Sequence, residues 1–224
     1  MVADRLKPPP PLRETQIKLG VGIPLSWHYV PADFFDSFVQ LQGLGNAHII
    51  RAQAGPIHEM RNHISAEALR SDCTHLLFID CDMVYPRDTI TKLLSHDKDL
   101  IGALTFTRWP PFNPLVFEGE HYKMNIIDPI PEGLIEVTAT GTGCLMIKTK
   151  VFDNLEYPWF EFTQTKEKNP VGEDINFCYN ARNAGHHIYV DTTIMTAHLA
   201  QMRINYNMWQ LNKSLNKTGD GFMV

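Results

Sequence analysis

His75-Leu76-Leu77-Phe78-Ile79-Asp80-Cys81-Asp82 is the segment on which the fold turns. Its first five residues form an apolar run bounded by charge, as in a strand covered on both faces. Two carboxylates, one residue apart, follow where the chain leaves the sheet. In extended chain, residues i and i+2 point the same way, so Asp80 and Asp82 are expected to converge on one object. Two anions in one pocket repel; a hard cation or a metal–polyphosphate complex relieves the repulsion. The plainer reading makes Asp82 only the residue ahead of a helix that begins near Pro86.

Outward from this segment, strands and helices alternate. Ile17–Pro24 and His48–Arg51 read as strands. Residues 32–42 suit a helix, with Phe34, Phe35, Phe38 and Leu41 at helical spacing. Pro56 opens a helix through Arg70 with the apolar stripe Ile57, Met60, Ile64 and Ala68. A helix over Pro86–Ser95 leads to a strand at Leu100–Leu104. This order predicts an α/β fold, a mainly parallel sheet flanked by helices. After Thr105 the alternation lapses into proline-rich loops and short strands. Strands are then expected at 134–138 and 143–148, and a short helix at 151–155. A helix over 173–184 has Gly185 as its stop. A last strand at 188–191 precedes His198. Residues 1–15 read as a flexible proline-rich arm, 16–200 as one domain, and 201–224 as a partly helical tail.

Composition narrows the class. The chain has 224 residues, 44% of them hydrophobic, and a net charge of −5. That length supports a sizeable core. No apolar run is long enough to cross a bilayer as a helix, and the first residues lack the apolar core of a secretory signal. Cys73, Cys81, Cys144 and Cys178 show no Cys-x-x-Cys spacing. They read as reduced, mostly buried thiols of a cytoplasmic protein and not as a zinc site. The negative charge argues against general nucleic-acid binding and leaves room for a local cationic groove.

Ligands of open α/β sheets bind outside the carboxyl ends of the strands. Pro24–Trp27, Asp80–Asp82 and Thr105–Arg108 all fall at such ends. Neither Gly-x-Gly-x-x-Gly nor a P-loop is present, so a metal is expected to neutralise any bound phosphates. Glu173 and Asp174 open a helix, whose terminus favours ionised carboxylates; first-turn capping is the plainer meaning. Arg61 follows Met60 of the apolar stripe and is expected to point partly away from the core, where it serves a ligand or only solvent. Arg108-Trp109-Pro110-Pro111 offers a cation for a diphosphate and a stacking face, or simply a packed loop. Trp159-Phe160, upstream of the Glu173 helix, is placed near an acceptor opening.

Several of these segments carry a resemblance. Met60-Arg61-Asn62, Phe78-Ile79-Asp80-Cys81-Asp82, Gly141-Thr142-Gly143, Gly172-Glu173-Asp174 and His198 occur in the order seen in glycosyltransferases of the GT-A fold. Over roughly residues 17–200 the chain resembles the inverting, family-2-like group, of the compact bacterial or phage type. The resemblance implies a Rossmann-like mixed sheet. It implies that Pro24, Arg61, Asn62, Asp80 and Arg108 bind the donor. Asp82, His198 and Asp80 would hold Mn²⁺ or Mg²⁺, with Asp80 also facing the ribose or base. Asp174 would be the general base, Glu173 would hold the acceptor, and Gly141–Gly143 would form an acceptor-side loop. The implied donor is a nucleoside-diphosphate sugar, above all a UDP-sugar, and the implied reaction is displacement with inversion. A retaining transferase, a nucleotidyltransferase on the same Asp and metal site, and a non-catalytic nucleotide-sugar module stay open. For the nucleotidyltransferase, Gly22-Ile23-Pro24-Leu25-Ser26 lacks the expected basic loop. The acceptor, whether modified DNA base, protein or glycan, is not indicated.

Overall fold

A computed structural model describes residues 17–26, 28–120, 122–201 and 204–215. The proposed arm, Trp27, and the tail at 202–203 and beyond 215 lie outside the described residues.

Seven strands build the central sheet. They are β1 (Leu19–Leu25), β2 (His48–Gln53), β3 (His75–Ile79), β5 (Leu100–Leu104), β8 (Leu134–Val137), β10 (Cys144–Lys148) and β13 (Ile188–Met195). Their order is β2-β1-β3-β10-β5-β13-β8. β2, β1, β3, β5 and β13 run one way; β10 and β8 run against them. The sheet is therefore mixed and mainly parallel. Leu76–Ile79 of β3 are fully buried, as the apolar run of that segment requires.

Helices cover both faces. α1 (Ala32–Val39) and α3 (Thr89–Ser95) lie on one, through Phe34, Ile90 and Leu93, against Leu77 and Ile79. α2 (Ile57–Arg70), α4 (Glu173–Asn183) and a 3₁₀ turn at Thr149–Asn154 lie on the other, against Leu76 and Phe78. The α3 helix begins three residues later than Pro86, whose carbonyl instead accepts the Thr89 N–H at 3.1 Å. α4 ends before Gly185, which adopts φ +91° as a helix stop demands. The region after Thr105 holds a small sheet of β6 (Val116–Glu120), β7 (Lys123–Ile126) and β9 (Ala139–Thr140). Two further pairs are β4 (Met83–Val84) with β14 (Ala197–His198), and β11 (Thr163–Gln164) with β12 (Pro170–Val171). α5 (Tyr206–Leu215) is the last described element.

Glycine fixes how closely α2 approaches the sheet. A Cβ on Gly22 of β1 would run into Ile64 Cγ2 of α2. Without one, the helix lies low over β1, and its residues Arg61, Ile64, Ser65 and Ala68 face the sheet. These follow the i, i+3, i+4, i+7 spacing of a single stripe. Arg61 is thus inside, 4% exposed, and not directed partly outward. Asn62 is buried beside it and clamps the chain at Phe160: its amide donates to the Phe160 carbonyl at 2.7 Å and accepts from the Phe160 N–H at 3.0 Å. Phe160 is itself core, stacked on Phe177 with ring centroids 4.4 Å apart. Trp159 packs on Phe152 and Tyr157. Trp159-Phe160 is therefore a packing unit. The four cysteines are free and buried; burial pushes the Cys144 and Cys178 thiols up to about 12.

Candidate active site

β3 ends at Ile79, and from there the two aspartates part company. Asp80 continues the alternation of Leu76 and Phe78 and turns to the α2 face. Its N–H donates to the Gly143 carbonyl at 3.0 Å. A side chain on Gly143 would meet Met83 Sδ at 2.7 Å and Asp80 Oδ2 at 3.3 Å, so glycine lets this strand start lie against the aspartate. Cys81 and Asp82 belong to a turn. The period-2 rule no longer applies there, and the two carboxylates take different partners.

Asp80 joins a buried charge cluster. Arg61 Nη2 lies 3.2 Å from Asp80 Oδ1, and Arg61 Nη1 donates to Glu173 Oε1 at 2.5 Å. Asp174, half-buried in the first turn of α4, also acts on Arg61. Burial opposes the guanidinium charge, but Asp80, Glu173 and Asp174 outweigh it and raise its pKa. The acids respond the other way. Burial raises the pKa of both Glu173 and Asp174, and Arg61 only partly offsets it. One cation serves three carboxylates, and their mutual repulsion adds to burial. The shift opposes the one a helix N-terminus alone would give. Asp174 Oδ1 also accepts the Ile175 N–H at 2.8 Å.

Asp82 stands with a second set of partners. Arg108 Nη2 approaches its Oδ2 at 2.7 Å, and His198 Nε2 lies 3.4 Å away. His198 is carried by β14, which pairs with β4 just past Asp82. Its Nδ1 lies 2.8 Å from the Phe106 carbonyl. A carbonyl can only accept, so Nδ1 bears a proton and Nε2 is the ring atom that faces Asp82. Nε2 is buried and its approach to Asp82 fails hydrogen-bond geometry. It stands beside the Asp82 carboxylate without a hydrogen-bond partner. The Asp82 carboxylate raises the His198 pKa against the effect of burial. Burial works against Asp82 in turn, but His198 and Arg108 hold its pKa below the ordinary value.

The expected site residues thus fall into two groups at the carboxyl end of the sheet. Asp82, His198 and Arg108 form one; Asp80, Arg61, Glu173 and Asp174 form the other. Pro24 is buried on β1, two residues beyond the Gly22–Phe78 pairing, and so lies level with Asp80. Asp80, expected as a metal ligand, is held by Arg61; among the described residues no three His, Cys, Asp or Glu side chains are grouped to hold a metal. Arg61 and Asn62, expected on the donor, bond inside the protein through the Arg61 Nη atoms and the Asn62 amide, while Arg61 Nε has no partner. The Thr105 and Thr142 hydroxyls, from the strand end and the Gly141–Gly143 segment named above but given no role of their own, are also buried without partners. Single threonines carry no spacing signal by which they could be found. A cleft of about 270 Å³ beside the end of β2 is lined by Arg51, Gln53, Gly55, Glu59, Met60 and His63. A larger one, about 870 Å³, lies between the Tyr122 and Thr165 hairpins and contains none of the site residues.

Asp82 and His198 suit a divalent cation. A carboxylate oxygen and an unbonded imidazole nitrogen stand side by side, a donor set that Mn²⁺ accepts readily and Mg²⁺ less so.

No protein-family model matches the sequence, nor does any curated protein. Solved structures do resemble the fold. A197 from STIV matches with a TM-score of 0.60 at 17% identity, over 83% of this chain and 87% of its own. A structure of GalNAc-T7 with UDP, GalNAc and Mn²⁺ matches with a TM-score of 0.53 at 13% identity. That match covers 85% of this chain and 45% of GalNAc-T7, so the chain spans less than half of that protein. With its mixed seven-stranded sheet, flanking helices and these two structural relatives, the chain has the GT-A fold.

Proposed function

We propose that this protein is a metal-dependent glycosyltransferase that moves a sugar from a nucleoside-diphosphate sugar, a UDP-sugar foremost, to an acceptor hydroxyl with inversion. The observation that carries the reading is the unbonded His198 Nε2 beside Asp82, a short turn away from the Arg61-held carboxylates. The GalNAc-T7 structure, with UDP and Mn²⁺, supports the donor class by likeness of fold. An anionic diphosphate does not settle among four carboxylates unless cations accompany it.

Asp82 and His198 would hold Mn²⁺ or Mg²⁺. Bound there, the ion would act as a Lewis acid for the departing diphosphate. Arg108 adds a second positive charge on that side. The cleft at the end of β2 takes the nucleoside. Arg61 fixes Asp80 and Glu173 in place, and Glu173 orients the acceptor. As the acceptor oxygen bonds to the anomeric carbon, the bond from that carbon to the diphosphate oxygen breaks. Its electron pair leaves with the nucleoside diphosphate, and the hydroxyl proton passes to the Asp174 carboxylate.

The test is a screen of nucleotide sugars with Mn²⁺ or Mg²⁺, read by release of nucleoside diphosphate. A UDP-sugar should be turned over, chelation by EDTA should abolish turnover, and Mn²⁺ should restore it. Full turnover in chelator would remove the metal from the mechanism. Release of pyrophosphate from a nucleoside triphosphate and sugar phosphate would instead make the protein a nucleotidyltransferase. A product of unchanged anomeric configuration would make it a retaining enzyme.

A further inference from the structure

We infer that Arg108 is an internal counter-ion that a divalent metal must displace from Asp82, so that one loop couples metal uptake to release of a guanidinium. The inference rests on the proposed metal site and concerns what this chain places there beforehand.

The loop after β5 touches the site twice. The Phe106 carbonyl engages His198 Nδ1 at 2.8 Å, which leaves Nε2 as the ligand atom. Two residues on, Arg108 Nη2 contacts Asp82 Oδ2 at 2.7 Å. This is the same oxygen that lies 3.4 Å from His198 Nε2. A cation bridging Asp82 Oδ2 and His198 Nε2 would meet the guanidinium on that oxygen. The two positive charges repel, and the oxygen's lone pairs are shared between them. Arg108 has somewhere else to go. Its side chain is 42% exposed, and the neighbouring Trp109 is 68% exposed. No packing of the core depends on the loop's polar tip. Arg61 shows the contrast: equally charged, it is buried, doubly paired and on the opposite side of the β3 end. The chain thus uses one arginine as permanent framework and one as an exchangeable cation. When displaced, Arg108 is free to pair bidentately with an incoming diphosphate.

Mn²⁺ binding to the full chain, without any donor, measures this directly by calorimetry or water-proton relaxation. Arg108→Gln should bind Mn²⁺ about two- to fivefold more tightly than wild type, the range that a half-exposed ion pair supports. Asp82→Asn should lose the site. In a second readout, Mn²⁺ should speed tryptic cleavage between Arg108 and Trp109, because the free side chain enters the protease pocket and the paired one does not. Equal or weaker Mn²⁺ binding by Arg108→Gln, with binding still lost in Asp82→Asn, would overturn the exchange and leave the metal site standing. Absence of Mn²⁺ binding in wild type and Arg108→Gln alike would overturn both.

Discussion

A guanidinium with 4% exposure, shared among three carboxylates, is a framework part. It fixes Glu173 at the start of α4 and thereby sets where Asp174, the next residue, can point. Asp174 is the residue whose role needs separating from its position. Its Oδ1 accepts the Ile175 N–H, as a capping acid would. Asp174→Asn retains an oxygen for that bond and removes the proton acceptor. As a base, Asp174 predicts that transfer falls by about 10²- to 10⁴-fold with donor binding nearly unchanged. As a cap alone, it predicts a loss of about 1 kcal/mol of stability with turnover retained. The acid limb of the rate profile adds a sign. Burial raises the Asp174 pKa, so the protonated, inactive form persists to higher pH than for an ordinary aspartate. Transfer should therefore fail on acidification earlier than a pKa of 3.8 would give. Steady-state rates of wild type and variant across pH decide it, and retained transfer in the Asn form removes Asp174 from the chemistry.

The α2 helix carries both Arg61 and the Asn62 clamp, so its height over β1 is a functional dimension. Gly22→Ala tests this. The added methyl meets Ile64, and overpacking of this kind costs about 1–3 kcal/mol. To the extent that the Ile64 side chain cannot turn aside, the helix must rise, which lengthens the Arg61 contacts to Asp80 and Glu173. The expected result is a destabilised but folded protein with a raised donor KM; an unchanged KM would show that α2 height and donor binding are independent. This coupling also marks what the sequence could reveal. Apolar runs such as His75–Ile79 and Leu100–Leu104 coincide with their strands because burial on both faces leaves an unbroken apolar signal. The insertion of β10 between β3 and β5, against their direction, was not legible, because pairing over so long a separation leaves no local pattern. The inward turn of Arg61 is hidden in the sequence because Met60 suggests one stripe, whereas 61, 64, 65 and 68 form another. The different partners of Asp80 and Asp82 follow from the turn at Cys81-Asp82, which no periodicity marks. His198, by contrast, was legible as a histidine just past the last strand, though nothing in the sequence showed the Phe106 carbonyl that sets its tautomer.

The site draws on positions spread along nearly the whole described chain: Arg61 on α2, Asp80 and Asp82 after β3, Arg108 after β5, Glu173 and Asp174 on α4, and His198 on β14. None of these segments holds the others without the sheet between them. A ligand that bridges them binds the folded state and has no comparable site in the unfolded chain, so its binding free energy adds to global stability. With Mn²⁺ and UDP taken as one linked ligand at about a hundred times its dissociation constant, the site adds about 2.7 kcal/mol. For a chain of 224 residues, that corresponds to a rise in Tm of about 5–10 °C, since each kcal/mol moves a domain of this size by about 2–4 °C. UDP alone should give much less, because its diphosphate then faces the carboxylates without the metal. Asp82→Asn should lose the metal-dependent part of the shift and keep the basal Tm near that of wild type, since Asp82 lies on a turn outside the core. Thermal unfolding of both proteins, with and without Mn²⁺ and UDP, measures this. An equal shift in Asp82→Asn would place the bridging ligand elsewhere on the fold, away from the end of β3.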